Sequence, residues 1–128
     1  MAIELRDETA ILDQRVYIGA AWIRQQLSAT NIDVNEVAKA LNLSGSHFRH
    51  LFREHMGVTP QRYHKLQRLR RAQHLLRESS LNVKQVMAEV GWTDESHFCR
   101  DYKRVYGESP SKVRWSCVKF IPAQLTMA

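Results

Sequence analysis

The chain has 128 residues, room for one domain or two small subdomains sharing a linker. Its 19 Lys and Arg outnumber 13 Asp and Glu, a formal net charge of +6 that favours a polyanionic partner. Two cysteines, Cys99 and Cys117, show no CxxC or other ligand spacing, which speaks against a disulfide framework and fits a reducing cytosol. The N-terminus MAIELRDETA is acidic and has no continuous apolar run, so it does not read as a signal peptide. No stretch approaches the ~18 apolar residues that a bilayer span needs. The expectation is a soluble cytoplasmic protein without membrane contact. Its charge is uneven: residues 1–13 hold Glu4, Asp7, Glu8 and Asp13 against Arg6 alone, net −3, leaving +9 for the remainder.

Periodicity near 3.6 residues recurs along the chain and strand-like alternation is almost absent. A first helix is predicted from about Asp13 to Ser28, with Val16, Ala20, Ile23 and Leu27 on one stripe and Trp22 at its edge. Ser28-Ala29-Thr30-Asn31 reads as a loop. Asp33 followed by Glu36 predicts a capping box opening a second helix, with Val34, Val37, Ala38 and Leu41 buried. Asn42 takes the stop position, where a left-handed backbone is tolerated. Ser44 then caps a third helix, Gly45 to Met56, ended by Gly57.

Thr59-Pro60 is the next start signal, a hydroxyl cap before a first-turn proline. No breaker follows until Ser79-Ser80, and Tyr63, Leu66, Leu69, Ala72 and Leu76 keep one face apolar. The other faces carry Arg62, Lys65, Arg68, Arg70, Arg71 and Arg77, opposed by Glu78. Asn82 with Gln85 predicts a second capping box and a fifth helix through Val83, Val86, Met87 and Val90, closed by Gly91. Asp94 or Thr93 caps a sixth helix ending near Tyr106, with Gly107 behind it. Ser109-Pro110 starts a last short helix through Val113 and Trp115. The tail from Ser116 to Ala128 has no convincing pattern.

The chain thus repeats itself. NLSGSHFRHLFREHMGVTP, from Asn42, returns as GWTDESHFCRDYKRVYGESP, from Gly91, with His47 on His97, Phe48 on Phe98 and Pro60 on Pro110. Upstream the offset drops by one, pairing Val34 with Val83 and Leu41 with Val90, so the second turn is one residue longer. A capped helix, a tight turn and a second capped helix make a helix-turn-helix, whose second helix enters the DNA major groove. The fold expected is all-α: seven helices in two helix-turn-helix subdomains joined by a long linker helix. The segments are 1–13 (acidic), 14–58 (first subdomain), 59–79 (linker helix), 80–115 (second subdomain) and 116–128 (tail).

In the third helix Phe48, Leu51 and Phe52 point inward, while Ser46, Arg49, His50 and Arg53 share the opposite face. In the sixth, Phe98, Tyr102 and Val105 point inward, and Ser96, Cys99, Arg100 and Lys103 form the matching outer stripe. Arginine's planar fork matches guanine O6 and N7, and small neighbours permit close approach. Any single outward arginine is usually just solvated. Two, on duplicated second helices within the basic region, favour a role at DNA.

The spacing VGWTDESHFCRDYKRVYGESPSKVR resembles the signature of the AraC-type (AraC/XylS) transcriptional regulators, and Arg68-Leu69 with Ala72 and Leu75-Leu76 resembles their linker-helix pattern. The resemblance covers about Val16 to Trp115. With no sensor domain ahead of it, the chain looks most like the short stand-alone MarA/SoxS-type members. Asn42 stands where a glycine is usual, Trp92 where Phe is common and Val113 where Tyr is frequent. The outer stripe of the third helix differs from the short members, so their DNA sequence does not carry over.

The resemblance implies base contacts from Ser46, Arg49 and His50 and from Ser96, Cys99 and Arg100. It implies phosphate contacts from Arg53 and Lys103 and from the helix starts at Thr59 and Ser109, where free N–H groups favour an anion. Gly45, Glu95, Arg70 and Arg71 are possible further contacts; Glu95 either accepts from cytosine N4 or simply favours its helix N-terminus. Arg68 is expected to brace the linker against an acidic residue such as Glu36. About 19 linker residues at 1.5 Å each span roughly 28 Å, near the ~34 Å between successive major-groove faces. One monomer would then reach both. The implied function is a sequence-specific double-stranded DNA-binding regulator, an activator that engages RNA polymerase, in the bacterial cytosol or nucleoid.

Other functions carry less. The six histidines are dispersed and form no ligand motif, so no metal and no cofactor are expected. No phosphate loop, carboxylate pair or nucleophile–base arrangement suggests an enzyme. Cys99 reads as a small contact residue or, alternatively, a redox-sensitive thiol. The remaining alternative is a module acting on RNA polymerase or another regulator without specific DNA contact.

Overall fold

The computed structural model describes residues 14–112. Helix α1 occupies 14–24, α2 Val34–Ala40, α3 Gly45–Met56, α4 Pro60–Glu78, α5 Val83–Glu89 and α6 Glu95–Tyr106, and α7 starts at 110. No strand occurs among the described residues. The chain divides into two compact units whose boundary falls inside α4, between Gln67 and Arg68. The expected continuation of α7 through Val113 and Trp115, the start at Asp13, and Cys117 lie outside the described residues.

Local signals account for most element ends. The Asp33 carboxylate accepts from the N–H groups of Asn35 and Glu36, Ser44 Oγ from His47, Asn82 Oδ1 from Gln85 and Asp94 Oδ1 from His97. The capping box expected at Asp33 shows only its forward half, the carboxylate accepting from the Glu36 N–H at 3.4 Å. At Asn82 the neutral pair closes it, with Gln85 Oε1 accepting from the Asn82 N–H at 2.8 Å. Gly57 and Gly107 end α3 and α6 with left-handed φ of 80° and 82°.

The two short turns share one backbone construction. After α2, Asn42 adopts φ 60°; the Leu43 N–H donates to Ala38 O at 2.8 Å and the Asn42 N–H to Lys39 O at 3.1 Å. After α5, Gly91 adopts φ 69°; the Trp92 N–H donates to Met87 O at 2.8 Å and the Gly91 N–H to Ala88 O at 3.2 Å. Both are Schellman closures that reverse the chain and satisfy carbonyls a helix end would leave open. The extra residue of the second copy is the exposed Thr93, between this closure and the Asp94 cap.

In the first unit Val16, Ala20 and Ile23 of α1 meet Val34, Val37 and Ala38 of α2, with Phe48, Leu51 and Phe52 of α3 closing the core. Phe52 stands edge-on to Tyr63 at 5.3 Å. Helix α1 stops at 24, short of the expected Ser28: the Gln25 N–H is shared between Ala21 O and Trp22 O, and Gln26 bonds back only to Ile23 O. His64, 3% exposed, places Nε2 2.8 Å from the Gln26 carbonyl, which also accepts from the Ala29 N–H at 3.2 Å, and Arg24 Nη1 donates to the Tyr63 hydroxyl at 2.7 Å. Leu27 is accordingly half-buried rather than core.

In the second unit Leu69, Ala72 and Leu76 of α4 pack on Val86, Met87 and Val90 and on a row of rings, Trp92, Phe98 and Tyr102. Two expectations fail here. Val105 is 39% exposed, because the stripe passes from Tyr102 to Tyr106, whose ring lies 4.8 Å from that of Tyr102. Arg68, expected off the apolar face and bracing the linker against an acidic residue such as Glu36, is 5% exposed. Its series at i+4 and i+8, Ala72 and Leu76, is the buried face of α4.

Gly19, in the middle of α1, touches this packing most closely: a Cβ there would lie 2.8 Å from two ring carbons of Phe48, itself fully buried. Alanine improves helix propensity by about 0.5–1 kcal/mol but overpacks a core by about 1–3 kcal/mol. Gly19→Ala is therefore expected to lower stability by about 1 kcal/mol in urea unfolding; a variant more stable than wild type would show that the contact is not tight.

Candidate nucleic-acid interface

With Phe48 and Phe52 turned into the first core, the opposite side of α3 presents Ser46, His50 and Arg53 to solvent and leaves Arg49 half-buried. With Phe98 and Tyr102 turned into the second, α6 presents Ser96, Arg100 and Lys103 and leaves Cys99 half-buried. The pairs are thus Ser46/Ser96, Arg49/Cys99, His50/Arg100 and Arg53/Lys103. Each helix brings its four together on one stripe within its own unit. The two stripes share geometry and differ in chemistry.

On α3, the Arg49 guanidinium folds back toward the helix start. A Cβ at Gly45 would lie 3.2 Å from Arg49 Nη1 and would overlap Asn35 Oδ1. The bare Cα of Gly45 therefore leaves room for both side chains beside this N-terminus. His50 Nε2 lies 3.8 Å from Glu54 Oε2, both exposed, and with Arg53 they border a shallow open depression. On α6, Cys99 packs at the margin of the second core. Burial, and then the charge of Glu95 one turn earlier, push its thiol pKa up. His97 Nε2 sits 3.5 Å from Asp101 Oδ2. Asp101 is 4% exposed and was not foreseen; its counterpart on α3 is Leu51.

The remaining expected residues are more scattered. Thr59 and Ser109 are half-buried; their hydroxyls accept from the N–H groups of Arg62 and Lys112, both at 3.3 Å, so they act as helix caps at the starts of α4 and α7. Glu95, Arg70 and Arg71 are exposed. Burial raises the Tyr106 pKa while the charges of Arg70 and Arg77 oppose the rise, which places these guanidinium groups near the end of α6. Among the described residues no group of three or more His, Cys, Asp or Glu is arranged to hold a metal, and no helix is long and apolar enough to cross a membrane.

The residue the sequence reading placed wrongly is Arg68. Its Nε donates to Val90 O and its Nη2 to Gly91 O, both at 2.7 Å, and its Cζ lies 4.1 Å from the centroid of the Trp92 ring. These are carbonyls where a carboxylate was expected. The signal was present: His64, Arg68, Ala72 and Leu76 recur every fourth residue, so Arg68 stands on a face that is otherwise buried.

Because its pKa is raised, Cys99 should carry less thiolate at neutral pH than a free cysteine. Iodoacetamide labelling followed by peptide mapping is expected to modify Cys99 more slowly than glutathione at pH 7.5. Its rate should rise only at higher pH, and Glu95→Gln should accelerate it. Labelling faster than glutathione at pH 7.5 would contradict the described environment.

A family model for a helix-turn-helix domain matches residues 37–116. The arabinose operon regulatory protein of Escherichia coli (strain K12) is 33% identical over 106 residues, 83% of this chain and 36% of that protein. The HTH-type transcriptional activator RhaS of Escherichia coli O139:H28 (strain E24377A / ETEC) is 32% identical over 100 residues, 78% of this chain and 36% of that one. The chain therefore spans little more than a third of the length of these relatives. Among solved structures, the DNA-binding domain of AdpA, in complex with a target DNA, has a TM-score of 0.71 at 27% identity, covering 79% of this chain and 90% of that one. An AraC-type transcriptional regulator from Chromobacterium violaceum has a TM-score of 0.76 at 20% identity, covering 82% and 93%, a likeness of fold. This chain belongs to the family of AraC-type helix-turn-helix DNA-binding domains.

Proposed function

We propose that this chain is a sequence-specific double-stranded DNA-binding transcriptional regulator that reads two successive major-groove segments of an asymmetric site as a monomer. The observation that carries the reading is that one backbone unit occurs twice, each time with a polar stripe on the outer side of its second helix. Ser46, Arg49 and His50 on α3 face one half-site, and Ser96, Cys99 and Arg100 on α6 the other. Arg53 and Lys103, one turn further along each stripe, meet phosphates, as do the capped starts of α4 and α7 at Thr59 and Ser109. Gly45, Glu95, Arg70 and Arg71 border these contacts. A related DNA-binding domain solved on its target DNA and relatives named as activators support this reading, with activation through RNA polymerase as its finer form.

The chemistry separates the two kinds of contact. Arginine's two parallel N–H donors fit guanine, each such pair giving about 1–3 kcal/mol of discrimination. Phosphate contacts add affinity without sequence information. Arg49→Ala and Arg100→Ala are each expected to lose about 1–3 kcal/mol of binding and to relax one half-site only, a different one for each variant. Selection from randomised duplexes reads this directly; loss of the same bases by both variants would overturn the assignment. Affinity should fall by about 0.9 log unit per log unit of salt for each phosphate contacted. Binding that ignores salt would instead point to a protein partner.

Helix α4 serves in this proposal as a rigid spacer. Two residues inserted between Gln67 and Arg68, at the boundary of the two units, would turn all that follows by about 200°. The inserted variant is expected to keep its helicity and lose affinity for the natural spacing in a gel-shift titration. Binding like that of wild type would rule out a rigid spacer.

A further inference from the structure

The second reading helix begins where Arg68 holds the chain. Val90, Gly91 and Trp92 make the closing turn of α5, and all three are engaged by one side chain: two carbonyls by the guanidinium N–H groups and the indole face by its plane. Carbonyls at a helix C-terminus carry partial negative charge, so a buried cation is well placed there. The planar fork matters, because a guanidinium can donate in its plane to two acceptors while stacking on a ring. Beyond Trp92 only Thr93 and the Asp94 cap precede α6. The Trp92 ring stands edge-on to Phe98, the first fully buried side chain of α6, at 5.4 Å.

The first unit has the same turn, with a glycine at the position equivalent to Arg68. The spacing that pairs Val34 with Val83 and Leu41 with Val90 pairs Gly19 with Arg68. A Cβ at Gly19 would point at the Phe48 ring and, at 3.4 Å, at Leu41 Cδ1. Equivalent positions thus face equivalent turns, one by close apolar packing and the other by a polar grip. Burial lowers the Arg68 pKa, a desolvation of the cation that the two carbonyl acceptors offset.

We propose that Arg68 is the positioning residue for the second recognition helix: it fixes the turn at Val90–Trp92 from α4 and so sets the angle at which Ser96, Cys99 and Arg100 are presented. The proposal rests on the reading of α6 as a DNA reader. It makes the fidelity of the second half-site depend on a residue that touches no DNA, whereas the first half-site has no such dependence.

Arg68→Lys in the full chain tests it. The variant keeps the charge but cannot bond both carbonyls and stack at once. Competition titrations against duplexes scrambled in one half-site are expected to show the second-half preference falling on the order of tenfold, the size of one lost base contact. The first-half preference and the salt slope should stay as in wild type. Unchanged preferences, an equal loss at both halves, or a salt slope lower by about 0.9 as for a lost phosphate contact would each overturn the proposal. If the lysine variant does not fold, Trp92→Phe, which keeps a core ring and narrows the stacking face, is expected to show the same half-site pattern more weakly. An unchanged second-half preference there overturns it. Arg100→Ala measured alongside separates the failures. If it relaxes the second half and Arg68→Lys does not, the positioning role falls and the DNA reading stands; if neither relaxes it, the reading of α6 falls.

Discussion

Each unit depends on one backbone residue held in the left-handed region, Asn42 after α2 and Gly91 after α5. A helix that ended there without reversal would carry its apolar stripe away from the core. The positive φ lets its own N–H and the one after it bond back to the helix just finished, and the chain turns within a few residues. Only then do Phe48 and Phe98 fall inward, and only then do Arg49 and Arg100 stand on the far side of their helices. The division into a buried apolar stripe and a polar outer stripe is set by this turn. Glycine adopts it freely at 91, whereas Asn42 does so as one of the few side chains that tolerate the conformation.

Much of this was legible because it is local. Caps at Asp33, Ser44, Asn82 and Asp94, stops at Gly57 and Gly107, and the unbroken α4 follow from side chains that bond their own backbone or from φ values that few residues adopt. The stripes of α3 and α6 were equally legible, since a 3.6-residue period fixes which residues share a face. What escaped were polar groups whose partners are distant in sequence. His64 ends on the Gln26 carbonyl and Arg68 on those of Val90 and Gly91, and nothing near either residue announces this. Charge suggested an acidic partner for Arg68; position suggested burial, where two carbonyl acceptors and a ring meet it. Asp101 escaped as well, although its neighbour His97 is local, because it stands in an otherwise aromatic inner face. Gly19 escaped for the opposite reason: its role is the absence of atoms beside Phe48.

His64 and Arg68 stand one helical turn apart on α4, on either side of the boundary between the units. Each meets carbonyl oxygen at the end of another helix, α1 in the first unit and α5 in the second. Helix α4 is thus more than a connector, for it supplies a buried donor to each unit. Duplication kept the backbone and let the side chains diverge, in the outer stripes and in the residues that hold the turns alike. Arg49 opposite Cys99, His50 opposite Arg100 and Gly19 opposite Arg68 are three positions where one geometry carries two chemistries. In the proposed reading, two unlike stripes in one chain would need no symmetric partner to recognise an extended site.

That consequence is the most exposed to test. Native mass spectrometry of the protein with a duplex holding a single selected site measures the stoichiometry directly. One chain per duplex is expected, with no further binding as protein is raised to a few-fold excess at moderate salt. Two chains bound together on a palindromic site, with no one-chain complex at sub-stoichiometric protein, would contradict the proposal that a single chain reads both halves.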